Sequence, residues 1–500
     1  MHWGMTNFRL YFIIFAVVLS YQSCTADDMI FESDILNNTP DESTINKELP
    51  IVPIKAFYKD VFLDSGIGLT SRKFLYAAQY LGLSTEGVSL PRSGATVEDS
   101  VLQNQIVAGD ENDANGRLLY PDGQPRYRLL FVNGGSSTTH GKSLNETALN
   151  NMSLFVKNGG SYVGTCAGAF FASNGYDSNY EYPYYLSIWP CMMNHTGISG
   201  DVTGMFIESD SPLLQYYDFG GDHYVADIRH NKGGYPVEIP PDTEVLARYD
   251  YPAKQDVHMQ PSIWAYKYDS ICGRVVMEGS HPEEVASGER LELTAAMMQY
   301  AMDGVGMTTI KGYLKNGEVR LMDKGSEENE PLYAKIGDLQ CHHFAVNIPD
   351  SVYDINVTVV SNVECDLSLM MCHETYAYLE DADFISTKKG AYQQLSFSTL
   401  ESGVWYVAVQ CLSTVDVTET EYGQLYIDPL GVLNGIPYQI TVSWKDNDEE
   451  QTISSIKNKS KKDNTQKGVL IGMDGKVYKQ TSSHDMYIQT VNGFTTKRIY

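Results

Sequence analysis

From Ile51 to Met302 the apolar residues come in two alternating spacings. `IVPIKAFY` reads as extended from Ile54 to Tyr58, a loop carrying Gly66 and Gly68 follows, and `SRKFLYAAQYLGL` has helical spacing. `RYRLLFV` is an unbroken apolar run of the kind buried on both faces, and it ends in `NGG`. `NETALNNMSLFVKNGG` then reads as a helix closed by glycines, `SYVGTC` as a strand and `AGAFFASNG` as the start of a further helix. The strand in `ICGRVVMEGSHPEE` and the helix `RLELTAAMMQYAM` complete the series. Strands alternating with helices imply an α/β fold: a doubly wound, mostly parallel sheet over residues 50–305, covered on both faces. Ligands of such sheets bind beyond the carboxyl ends of the strands, where Gly134, Gly135 and Cys166 fall.

After residue 306 the period changes to two. `HHFAVNI`, `INVTVV`, `CDLSLMM`, `QQLSFSTL`, `GVWYVAVQC` and `YQITVSW` are short alternating runs between polar loops, which predicts an all-β sandwich over 306–446. A lysine-rich bridge and an extended tail make up 447–500.

Charge and targeting narrow the setting. Lys+Arg 36 against Asp+Glu 63 gives a net charge of -27, which disfavours nucleic acid and anionic membrane surfaces as partners. Arg9 followed by `LYFIIFAVVLS` and then small residues reads as a signal peptide over 1–26, with an acidic linker or pro-segment at 27–49. No membrane span is expected after cleavage, and the protein is expected to be secreted, with attachment to a cell surface as an option. Of eight cysteines, Cys24 leaves with the signal. Seven remain in an oxidising compartment, so one thiol stays unpaired. With Cys166 as that thiol, Cys191 and Cys272 are candidates for a bridge in the first domain, and Cys341, Cys365, Cys372 and Cys411 for two in the second. Six glycosylation sequons begin at Asn37, Asn145, Asn151, Asn194, Asn356 and Asn458.

The candidate chemistry lies in three places. `GTCAG` puts Cys166 on a strand-to-helix turn, where Gly164 and Gly168 permit a strained elbow and close packing. A thiol attacks as thiolate, and a helix start or a neighbouring histidine favours that form. `SHPE` places His281 after a strand, two residues before Glu283, with Pro282 stiffening the link. This suits a base and the carboxylate that orients it. Gly134 and Gly135, with the amide of Ala167, offer backbone N–H groups for an oxyanion. Each feature also has a plain structural reading: a core cysteine, a loop histidine, an ordinary glycine turn.

Together, `NGG`, `GTCAGAF` and `SHPE` resemble the class I glutamine amidotransferase-like superfamily, and `GGSYVGTCAGAFFAS` resembles its branch named after the amino-terminal region of biotin-protein ligases. The resemblance covers about residues 50 to 305 and implies a flavodoxin-like fold with a Cys166–His281–Glu283 triad. It departs from glutamine-hydrolysing members at Phe170, where they carry glutamine. Residues from about 330 to 446 resemble the pre-peptidase C-terminal β-sandwich appended to secreted hydrolases. The implied function is a secreted cysteine hydrolase that cleaves an amide or peptide bond in a small-molecule or peptide substrate. The alternative is a non-catalytic binding protein that retains the fold. Phe170, Arg229 and His230 are candidates to line the substrate cleft, with Arg229 facing a carboxylate. No cofactor or metal is expected, since His195, His342 and His343 lack ligand spacing.

Overall fold

The computed structural model describes residues 49–109, 113, 115–176, 183–420, 423–427, 435–446 and the short segments 470–471, 477–478, 486–491 and 494–499. The expected signal peptide, nearly all of the acidic segment and most of the tail lie outside the described residues.

The first domain is built on one mixed sheet. Its strands are β1 (Lys59–Ser65), β2 (Thr85–Ser89), β3 (Tyr127–Val132), β4 (Ser161–Thr165), β5 (Ser199–Ile207), β6 (Tyr224–Asn231), β7 (Thr243–Asp250), β8 (Pro261–Tyr266) and β9 (Val275–Glu278). They lie in the order β2-β1-β3-β4-β9-β8-β7-β5-β6. The five from β2 to β9 are parallel to their neighbours. From β9 onward every pairing is antiparallel. The expectation of a mostly parallel sheet therefore holds for one half only. Residues 199–266 supply four strands of this sheet with no α-helix between them, whereas parallel crossovers require one. A hairpin from the second domain, Asp416–Thr420 and Gly423–Ile427, joins the far edge at Val88.

Burial on both faces explains the unbroken apolar runs. In β3, Leu130 and Val132 face one core with Met152 and Phe155 of the helix over Glu146–Lys157. Leu129 and Phe131 face the other with Met297 and Met298 of the helix over Glu289–Met302. Asn145 caps the first of these helices, accepting from the Ala148 amide at 2.8 Å. The helix expected over residues 71–83 shortens to Tyr76–Tyr80. Its first residues are drawn elsewhere: Arg72 reaches Glu284 at 3.1 Å and Ser71 donates to the Leu90 carbonyl.

The second domain is a sandwich of a five-stranded and a four-stranded sheet. Phe344, Val346 and Ile348 on one sheet meet Ile355, Val357 and Val359 on the other, the period-two pattern visible in the sequence. Polar contacts fix this domain to the first. Arg126 and Asp338 form an ion pair buried on both sides, and Tyr120 donates to the Asp338 carbonyl at 2.8 Å. Lys311 pairs with buried Asp122 at 2.5 Å.

The expected disulfides are not formed. Cys166, Cys191, Cys272, Cys341, Cys365, Cys372 and Cys411 are all free thiols. Across the strands, Cys341 faces Gln410, Cys372 faces Tyr406 and Cys411 faces Leu367, so no cysteine meets another in register. Cys191 sits in the α/β core while Cys272 is partly exposed. These thiols pack as small apolar groups. One sequon also fails on geometry: Asn151 is buried, donating to the carbonyls of Val107 and Asn115.

Candidate active site

Three strand ends converge at the carboxyl edge of the parallel half. β4 runs into the helix Ala167–Ala172, and Cys166 between them takes φ 47, ψ -102. A non-glycine residue held there is strained, as a nucleophile elbow is. The glycines around it are required by space. A Cβ on Gly164 would stand 2.5 Å from the Gly168 backbone, and one on Gly168 would stand 2.2 Å from the Val132 carbonyl. The elbow is pinned by the Cys166 amide, which donates to the Glu278 carbonyl at 2.8 Å, and by Tyr162, which donates to the Gly168 carbonyl at 2.7 Å.

His281 follows β9. Its amide donates to the Arg229 carbonyl at 2.9 Å, which ties the loop to β6. Its Nδ1 lies 3.1 Å from Glu283 Oε1, within a short turn over Pro282–Glu284. Cys166 and the imidazole line one cavity, and the Cys166 thiol donates to the Asn231 carbonyl at 3.7 Å. Burial alone would lower the His281 pKa. The Glu283 carboxylate and the Cys166 side chain outweigh it and hold the group well above the usual imidazole range. Burial likewise works to raise Glu283, but His281 and Arg72 keep it below the ordinary carboxylate range. Each partner therefore favours the charged form of the other. Cys166, far from them in sequence, is brought beside His281 and Glu283 here.

Gly135 borders the small cavity of about 80 Å³ that Cys166 and His281 line, together with Arg92, Arg229 and Glu284. Ala167 heads the helix behind the sulfur. Two of the expected cleft residues lie elsewhere. Phe170 is buried and packs on His195 and Tyr176, with ring centroids 4.7 and 5.8 Å away. His230 is wholly buried between Thr196 Oγ1 at 2.6 Å and Ser280 Oγ at 2.8 Å, where burial and nearby His281 lower its pKa to about 4. Both support the floor of the site. Arg229 does reach the cavity, with its Nη1 2.7 Å from Glu284 Oε2.

Sequence reasoning missed Glu278. It is wholly buried at the end of β9, and it accepts from the Ser280 amide at 2.7 Å. Burial, then the neighbouring Glu283 charge, push its pKa well up. The signal was a glutamate at the end of an otherwise apolar strand. His281, Glu283 and Glu284 bring potential metal-ligand atoms within 4.8 Å of one another. The set fits a cation poorly, because Nδ1 already engages Glu283 and two guanidinium groups hold Glu284.

Residues 121–182 match the family model for the amino-terminal region of biotin-protein ligase. No curated protein matches the chain. Among solved structures, one described as a glutamine amidotransferase is 18% identical, with 48% of this chain and 98% of that one covered at a TM-score of 0.31. A glutamine amidotransferase from Methylobacillus flagellatus is 10% identical, covering 50% of this chain and 97% of that one at 0.28. The pre-peptidase C-terminal domain of a Bacillus anthracis collagenase is 13% identical, covering 28% of this chain and 98% of that one at 0.17. At such scores, the functional reading rests on the chain's own residues.

Proposed function

We propose that the protein is a cysteine-dependent amide or peptide hydrolase built on a doubly wound amidotransferase-like domain. The observation that carries this reading is Cys166 at a strained elbow, lining one small cavity with an imidazole that Glu283 backs at 3.1 Å. The imidazolium favours the thiolate beside it. In the reaction, Cys166 Sγ adds to the carbonyl carbon, and the oxygen takes up negative charge facing the amides of Gly135 and Ala167. His281 gives its proton to the leaving nitrogen as the C–N bond breaks, leaving a thioester. His281, now neutral, takes a proton from water as that water attacks the thioester, and it returns the proton to the departing sulfur. Glu283 holds the ring orientation throughout. The helix behind Cys166 has only six residues, so His281 is the main activating group.

Export belongs to the same proposal, with cleavage after Ala26 and the sandwich serving attachment or secretion. Amino-terminal sequencing of the secreted protein, starting at Asp27, tests it. Catalysis is tested by incubating the full chain with a panel of γ-glutamyl and ordinary peptides and following amine release. Turnover that disappears in Cys166→Ser supports the hydrolase. Absence of turnover and of any thioester adduct by intact mass favours the non-catalytic binder.

A further inference from the structure

The mouth of the site is positively charged on a strongly acidic chain. Arg92 is exposed and lines the cavity beside Cys166, and among the described residues no carboxylate pairs with it. Glu284 is shared by two guanidinium groups, Arg72 at 3.1 Å and Arg229 at 2.7 Å, so that trio carries net positive charge. Glu283 offsets the His281 imidazolium. A net charge of -27 repels anions from the rest of the surface, so this local positive excess is where an anion would be received. The volume, about 80 Å³, equals two to three times the roughly 30 Å³ share of one water. That admits a planar carboxylate on a short chain next to the scissile carbonyl and leaves the rest of the substrate outside.

Resting on the reading of Cys166 as nucleophile, we propose that the acyl part of the substrate carries a carboxylate close to the scissile amide, received by Arg92 with Arg229 beside it. Guanidinium groups bind carboxylates through two parallel N–H donors.

The test compares iodoacetate with iodoacetamide on the full-length protein, with the Cys166 peptide quantified by mass spectrometry. The ratio of the two rates at Cys166 should exceed that of a free small thiol by about five- to tenfold, the effect of one partly screened charge. It should drop towards the free-thiol ratio in Arg92→Ala and in high salt. A thermal melt of the variant establishes that it is folded. Succinate should also protect Cys166 from iodoacetamide better than inorganic phosphate does. A ratio equal to that of the free thiol, with both reagents reacting, overturns the carboxylate site and leaves the nucleophile standing. Better protection by phosphate also overturns it. Failure of either reagent to label Cys166 removes the nucleophile reading, and this proposal with it.

Discussion

The space above Gly134 is filled by His281: a Cβ on the glycine would lie 2.2 Å from the ring Cε1 and 2.8 Å from Nδ1. The ends of β3 and β9 thus come close enough that only a hydrogen fits between them. Gly134→Ala must push the imidazole away from Glu283 and the sulfur. No positive φ is involved at this glycine, so the backbone tolerates the change. The expected result is a loss of Cys166 alkylation rate of tenfold or more with a melting temperature within a few degrees of wild type, read by peptide mass spectrometry and calorimetry.

Glu283→Gln removes the charge that offsets burial at His281. The imidazole pKa should then fall, because burial, which disfavours the cation, loses its main opponent. Histidine-selective ¹³C NMR titration of both proteins measures this directly. An unchanged His281 titration would separate Glu283 from the histidine.

Acid stability depends on buried neutral histidines. Burial, followed by nearby positive groups, lowers His343 to about 3 and His342 to about 4. In the unfolded chain both titrate near 6.5. Their contribution is complete above that value and is lost as pH falls through the folded values, because the unfolded state takes up protons first. His343→Gln should therefore reduce the slope of unfolding free energy against pH by about 1.4 kcal/mol per unit between pH 6 and 4. Denaturant titrations at several pH values give that slope.

The two domains should unfold together. Asp338→Ala leaves Arg126 buried without its carboxylate in the interface, at a cost of about 3–5 kcal/mol. Replacing both residues with apolar ones of similar size should cost much less. Chemical denaturation of the single and double variants separates the two outcomes.

Much of the site was legible because close packing leaves marks in a short stretch of sequence. Gly164, Cys166 and Gly168 must keep their spacing for the elbow to close, and His281 and Glu283 must keep theirs for the turn over Pro282–Glu284. The strand runs of β3 and β4 were equally plain, since both faces are buried. The antiparallel half was not, because Tyr224–Asn231 alternates too weakly between buried and exposed residues to betray a hairpin. The cysteines misled for another reason: counting thiols in a chain expected to be exported presumes that they pair, whereas the seven described cysteines are all free. Glu278 and Arg92 gain their meaning only from neighbours distant in sequence.

The most direct test is the pH dependence of Cys166 alkylation by iodoacetamide in wild type and His281→Gln. With His281 beside it, the wild-type sulfur should be alkylated faster than the variant's at neutral pH. Superimposable curves, both rising as an ordinary thiol does, would contradict the activation of Cys166 by His281.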